Sequence, residues 1–142
     1  MKKNLLIAAT GWLFCTFIAQ AANLTVTVSG IKNRPHKEGN ILIFLYDNSS
    51  NYMNPEKGQI VTLKSEGETI EYTFTDLKEG EYAVILHHDA DADGKMKSIL
   101  GIPREGFGFS NNIRPTVKAP SFNQVKLTVS GNTATHIKMI YL

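Results

Sequence analysis

The segment from His87 to Asn112 contains most of the residues whose types could carry chemistry. Within it Asp89, Asp91 and Asp93 stand at alternate positions, and Gly94 follows the third aspartate. Three carboxylates so spaced in a tight turn can converge on one cation, and a glycine permits the sharp bend. The pattern matches the first half of a calcium-binding loop and predicts Ca²⁺ as the ligand. Mg²⁺ is less suited, because it favours fewer carboxylates and more retained water.

The second half of the calcium pattern is incomplete. The backbone carbonyl of Lys95 is the expected next ligand, and Glu105 could fold back to supply another oxygen. Lys97 and Leu100 occupy two positions where ligands would otherwise follow, and no flanking helices are predicted. The alternative is a solvated turn in which lysines balance the aspartates. The predicted metal ligands are Asp89, Asp91, Asp93, Lys95 and Glu105.

Two histidines adjoin the aspartates at the end of an apolar segment. Neighbours on a strand face opposite sides, so His87 and His88 are not expected to hold one ion together. His88 beside Asp89 could form half of an acid–base pair, but no motif places a nucleophile next to it. We therefore predict no catalytic residues and a non-enzymatic protein. A hydrolase that uses His88 and Asp89 remains the third hypothesis.

The run Phe107 to Asn112 alternates aromatic residues with glycine. Its aromatic faces could contact a sugar. Such alternation more often lets a segment pack flat against its own sheet, and packing is our prediction. The one tryptophan, Trp12, lies in the N-terminal segment discussed next, so the folded domain would lack the residue most suited to a sugar platform.

The N-terminal residues have the features of a secretory signal peptide. Lys2 and Lys3 form a basic start, residues 5–18 are mainly apolar, and Ala19-Gln20-Ala21 fits the small-x-small cleavage pattern. The apolar run is shorter than the roughly 18 to 20 residues of a spanning helix, which disfavours an uncleaved anchor. We predict a signal peptide at 1–22 and a single domain at 23–142. The mature protein would be periplasmic or extracellular, without a membrane span.

Cleavage also changes the charge and the cysteine content. The chain has 15 basic and 13 acidic residues, and losing Lys2 and Lys3 leaves 13 of each. A formally neutral domain argues against a nucleic-acid partner, which would require a basic face. Cys15 lies in the leader, and the preceding Phe14 disfavours lipid attachment. The domain would thus have no disulfide, thiolate zinc site or cysteine nucleophile.

The remaining sequence predicts strands that could position the aspartate segment. Residues 40–47 and 81–88 are apolar on both faces, which indicates central strands. Alternating residues predict half-buried strands at 24–29, 69–74, 125–129 and 135–142, with a weaker candidate at 59–63. No amphipathic helix is predicted. The fold class is all-β, an antiparallel β-sandwich of about seven strands, immunoglobulin-like or transthyretin-like, with one long loop after a central strand.

That loop, about thirty residues long, exceeds the usual length of a connection, and such loops tend to be functional or internally packed. It has apolar content of its own. We expect this content to cover the outer face of strand 81–88, beside Ala83 and Ile85. The residues are Ile99, Leu100, Ile102, Phe107 and Phe109.

Several motifs of this segment resemble a secreted bacterial domain of unknown function, the family numbered 2141. They are His88-Asp89, Asp93-Gly94-Lys95 and the run GIPREGFGFSNN at 101–112. The likeness extends over about 24–142 and implies an exported β-sandwich with no established activity. Leu77-x-x-Gly80-x-Tyr82 is also similar to transthyretin-like and carboxypeptidase-regulatory sandwiches. Family members commonly carry an acid two places after the lysine, where this chain has Lys97, so the resemblance implies that a ligand could be lost here.

Three functions follow in order of preference. The first is an exported non-enzymatic binding or structural module whose long loop is stabilised by calcium. The second is a calcium-assisted carbohydrate- or cell-surface-binding domain, with a glycan or a cell-envelope protein as partner. The third is the hydrolase named above.

Overall fold

The structure is a computed structural model that describes residues 20–33, 39–99 and 101–142. Ten strands and one short helix, α1, are present in these ranges, with 3₁₀ turns at Pro55–Lys57 and Ser110–Asn112. The elements are β1 (Ala22–Ser29), β2 (Asn40–Tyr46), β3 (Gln59–Lys64), β4 (Thr69–Leu77), β5 (Gly80–Asp89), β6 (Ser98–Ile99), β7 (Ile102–Pro103), β8 (Gly106–Phe109), α1 (Phe122–Val125), β9 (Leu127–Val129) and β10 (Asn132–Lys138). The predicted all-β class is confirmed.

The strands form two main sheets. The smaller sheet has the order β10-β1-β4, and the larger one has the order β3-β2-β5-β8, with β9 also paired to β5. Among the described strands, every pair is antiparallel except β1 and β10, which run parallel. The exception arises because the turn at Gly131 carries the chain from β9 across to the smaller sheet, where Asn132 enters opposite Asn23. The antiparallel prediction therefore holds for every pair but this one.

The main core lies between the two sheets. Alternate residues of β1 are completely buried, as the period of two predicts. On β5, Tyr82, Val84 and Leu86 point into this core, while Ala83 and Ile85 point to the opposite, outer face. Both faces of β5 are thus covered from Tyr82 to Leu86, which is why these five residues are all apolar.

Part of the predicted long loop is a strand, β8, hydrogen-bonded to β5. Phe107 and Phe109 pack on the outer face beside Ala83, as predicted. Ile99 and Ile102 lie on the separate β6–β7 hairpin and are 58% and 52% exposed, so they are not buried against the sheet as Phe107 and Phe109 are. Ile102 lies at the edge of a cavity over the outer face. Leu100 lies outside the described residues.

The ends of several predicted elements also differ, and the last strand, predicted at 135–142, is β10 at Asn132–Lys138. A capping box at Ser121 and Gln124 starts α1, so the strand predicted at 125–129 is shortened to β9. At the N-terminus, β1 begins at Ala22, which is completely buried, one residue before the predicted domain start. The predicted leader otherwise lies mostly outside the described residues. Among the described helices, none is long and apolar enough to cross a membrane.

Candidate functional site

The candidate site begins where β5 ends. The central position of β5 brings His87, His88 and Asp89 to one end of the larger sheet, and Asp89 is only 2% exposed. Asn40 of β2 pairs with Asp89 across the sheet. The preceding Gly39 has a positive φ of 60°, and a side chain there would overlap the Asp89 carbonyl. Glycine is therefore required for β2 to begin this close to the loop that contains Asp89, Asp91 and Asp93, which we call the aspartate loop.

The loop that follows is folded around the Asp89 carboxylate. Oδ1 accepts the backbone N–H of Asp93 at 3.1 Å, and Oδ2 accepts that of Gly94 at 2.8 Å. Asp93 Oδ1 in turn accepts the N–H of Lys95 at 2.8 Å. Ala92 and Gly94 have left-handed backbone conformations, with φ of 57° and 74°. The first aspartate thus acts as the anchor of a tight turn.

This turn brings the three aspartates together. One carboxylate oxygen from each of Asp89, Asp91 and Asp93 lies within 4.8 Å of the others. Asp91 and Asp93 are exposed, whereas Asp89 is buried. The Lys97 ammonium contacts the Asp91 carboxylate and lies 3.8 Å from that of Asp93. Lys97 therefore provides a positive charge where the carboxylates converge.

Two further predicted ligands have defined places near this cluster. Lys95 is tied to it by its N–H group, as described above. Glu105 does fold back, but towards the loop backbone: Oε1 accepts the N–H of Ala90 at 3.1 Å, and Oε2 accepts that of Lys97 at 3.0 Å. Among the described residues, the convergent group comprises the three aspartates without Glu105. Glu105 thus shapes the loop from outside the cluster.

The two histidines have separate partners. His87 Nε2 lies 3.0 Å from Glu105 Oε2, and both side chains are buried. Sequence reasoning missed this pair, because only the β5–β8 register brings the two residues together. On the opposite side of β5, His88 Nδ1 lies 2.8 Å from the Tyr141 hydroxyl. The opposite orientation of the neighbouring histidines is as predicted.

Tyr141 receives a hydrogen bond from the Lys32 N–H at 2.9 Å. Burial raises the pKa of its hydroxyl, and the Lys32 hydrogen bond opposes that rise in part. The hydroxyl therefore keeps its proton at neutral pH and can donate it to His88 Nδ1. Asp89, the predicted acid–base partner of His88, instead has each carboxylate oxygen bonded to a backbone amide of the turn.

Two depressions lie beside these residues. A polar cleft of about 540 Å³ is lined by residues that include His88, Asp91, Arg104, Glu105 and Tyr141. Its described lining contains no serine, threonine or cysteine to act as a nucleophile. On the other side of the His87–Glu105 pair, an apolar cavity of about 500 Å³ lies over the outer face of the larger sheet. We call it the outer cavity.

Comparison with known families gives a match over most of the chain. The family model for an uncharacterized protein conserved in bacteria, DUF2141, matches residues 26–138, which is most of the chain. Comparison with curated proteins and with solved structures gives no match. The chain belongs to the DUF2141 family.

Proposed function

We propose that this DUF2141 protein is an exported, non-enzymatic β-sandwich module whose aspartate loop binds calcium and is stabilised by it. The observation that supports the proposal is the convergence of oxygens from Asp89, Asp91 and Asp93 within 4.8 Å. Ca²⁺ binds carboxylate oxygens at about 2.3 to 2.6 Å, so oxygens at this spacing can share one ion. The Lys95 carbonyl is the proposed backbone ligand.

The hydrogen bonds of Asp89 are compatible with this role. Each of its two oxygens accepts one backbone N–H. An ionised carboxylate offers about four acceptor sites, so each oxygen retains a lone pair. The anchor of the turn can therefore also be a ligand. Glu105 would act differently, by holding the backbone of Ala90 and Lys97 in place around the cluster.

Lys97 competes with the ion in this proposal. Its ammonium contacts two of the three carboxylates, so calcium must displace it. The lysine is half exposed, and exposed ion pairs contribute only about 0 to 1 kcal/mol, so displacement costs little. We expect a dissociation constant of about 0.1 to 1 mM, in the range of extracellular calcium modules.

Thermal unfolding of the purified domain tests the proposal. An ion that binds only the folded state stabilises it by RT ln(1 + [L]/Kd), so about 10 mM calcium should raise the melting temperature above that in chelator. Asp91→Ala should remove this rise, because it deletes a proposed ligand. It should leave the turn folded, because the backbone N–H groups of the turn bond to Asp89 and Asp93. Glu66→Ala removes an exposed acid elsewhere and should leave the rise intact.

Identical melting curves in calcium and in chelator would overturn the proposal. An equal rise in wild type and Asp91→Ala would show that calcium acts elsewhere on the chain. Magnesium at the same concentration should give a smaller rise, because the ion retains water and uses fewer carboxylates.

The alternative functions have weaker support. For a glycan-binding role, Phe107 and Phe109 would need open ring faces, but they are only 4% and 6% exposed. For a hydrolase, the polar cleft beside His88 is favourable. However, the carboxylate oxygens of Asp89 bond to the turn rather than to the imidazole. We therefore retain a cell-envelope protein or glycan only as the proposed class of partner.

A further inference from the structure

We propose that the outer cavity is a binding site for a small phenolic molecule, whose hydroxyl group bonds to His87. This site is distinct from the aspartate cluster, and the inference does not depend on calcium. The cavity volume of about 500 Å³ falls within the range of about 300 to 1,000 Å³ that is typical of small-molecule sites. Such sites combine a mainly apolar lining with a few polar groups, and this cavity has that composition.

The floor of the cavity is aromatic. It is formed by the outer faces of β2, β5 and β8, where alternate side chains point away from the main core. Phe44 is only partly buried, and its ring favours an aromatic ligand because stacked and edge-to-face contacts add to the burial of apolar surface. The other rings of the floor are 2% to 6% exposed and form its base. The four aromatic side chains are Phe44, Tyr46, Phe107 and Phe109.

The rim of the cavity carries apolar side chains that remain exposed. Met53, Met96 and Ile102 are 50%, 41% and 52% exposed, and all three line the same opening. Single exposed apolar residues are ordinary, but a group around one concave opening is characteristic of a binding site. Methionine side chains adapt readily to different shapes, which suits them to the mouth of a ligand pocket.

One polar atom distinguishes this cavity from a simple apolar hollow. His87 lines it and is 5% exposed, with Nε2 bound to Glu105. The other ring nitrogen, Nδ1, bonds to none of the described residues. Every fully buried polar side-chain atom among those residues does have a partner. Nδ1 must therefore be accessible, and the outer cavity is the depression that His87 lines.

Glu105 determines what this nitrogen can bind. A carboxylate only accepts hydrogen bonds, so His87 Nε2 carries the proton that it shares with Glu105. Nδ1 is then an acceptor in the neutral ring and a donor in the charged ring. A hydroxyl group can serve either state, because it both donates and accepts. An aromatic body with one hydroxyl thus fits both the floor and the polar atom.

Nuclear magnetic resonance titration tests the site with two probes, para-butylphenol and butylbenzene, in chelator so that calcium plays no part. Both probes should shift the amide resonances of Ile85 and Phe107. Only the phenol should shift the His87 Nδ1 resonance. In His87→Phe the phenol should lose affinity relative to butylbenzene by about two- to tenfold, the usual range for one hydrogen bond.

A rim variant tests the cavity without disturbing His87. Met53→Asp places a charge at the opening and should weaken both probes by at least about tenfold, because the charge is costly beside apolar surface. Aspartate tolerates the positive φ of 63° at this position. Ile60→Asp is the matched control, since Ile60 is 44% exposed on β3 and does not line the cavity.

Equal affinities for wild type and Met53→Asp would overturn the proposed site. So would an unchanged His87 Nδ1 resonance in saturating phenol. Loss of binding in Ile60→Asp as well as Met53→Asp would show non-specific adsorption to apolar surface. The calcium proposal is unaffected by any of these results, because its own test is the melting curve.

Discussion

At the scale of single residues, Glu105 joins the two parts of the candidate site. Its carboxylate accepts the N–H groups of Ala90 and Lys97 and bonds to His87. It therefore fixes the aspartate loop on one side and orients the imidazole in the outer cavity on the other. A buried carboxylate is stabilised by such hydrogen bonds, which replace those it would make with water.

Glu105→Gln should destabilise the domain by about 1 to 3 kcal/mol, the cost of leaving buried donors unsatisfied. Each Glu105 oxygen accepts a backbone N–H, so either orientation of the amide would place its NH₂ group against a donor. Denaturant unfolding measures the loss, with the exposed Glu66→Gln as control. A loss below about 0.5 kcal/mol would mean that these hydrogen bonds contribute little.

The sequence predicts the aspartate cluster because its members are close along the chain. Alternate spacing and Gly94 suffice to indicate a tight turn with converging carboxylates. The place of Lys97 depends on how the turn closes, so its contact with Asp91 could not be read from spacing. The His87–Glu105 pair depends on strand pairing and was likewise missed.

At the scale of elements, β5 is the strand that positions both the aspartate cluster and the outer cavity. Its inner residues pack against the smaller sheet and its outer residues against Phe107 and Phe109. The sequence predicted this strand well, because apolar residues on both faces indicate a central position. It predicted β8 poorly, because glycines at 106 and 108 lower strand propensity.

The glycines of β8 have a tertiary explanation. They face the main core, where a side chain on Gly106 would overlap the Tyr141 ring. A Cβ atom on Gly108 would lie 3.1 Å from the side chain of Ile137 and 3.2 Å from that of Leu86. The close approach of the neighbouring side chains thus requires glycine at 106 and favours it at 108, and local propensity does not reveal this.

Leu86→Ala should destabilise the domain by about 2 to 5 kcal/mol, because Leu86 is completely buried and its loss leaves a cavity in the main core. Leu63→Ala is the matched control on β3, where the side chain is only partly buried. It should cost clearly less in the same denaturant experiment. A cost below about 1 kcal/mol for Leu86→Ala would contradict a central β5.

At the scale of the whole molecule, the fold and the proposed leader meet at Ala22. This residue begins β1, pairs with Leu77 and is completely buried. Removal of a leader after Ala21 would leave β1 whole, whereas loss of Ala22 would shorten it. Export would also place the aspartate loop outside the cytoplasm, and the affinity proposed for its calcium site lies in the range of extracellular modules.

Intact mass measurement of the exported protein should therefore give an N-terminus at Ala22, one residue before the domain start at 23 predicted from the sequence alone. The basis is the small-x-small pattern before the cleavage point, together with the start of β1. Trp12 should be absent from the mature chain. A secreted or periplasmic form that retains Trp12 would contradict the predicted leader.

Calorimetric titration with calcium tests the central claim most directly, in wild type, Lys97→Met and Lys95→Met. Lys97→Met removes the competing ammonium but keeps the backbone bond to Glu105. It should bind calcium about two- to fivefold more tightly than wild type, the range expected for one exposed ion pair. Lys95→Met removes the same charge from the same loop and should show a smaller gain. Absence of calcium binding in wild type and Lys97→Met alike would contradict the account.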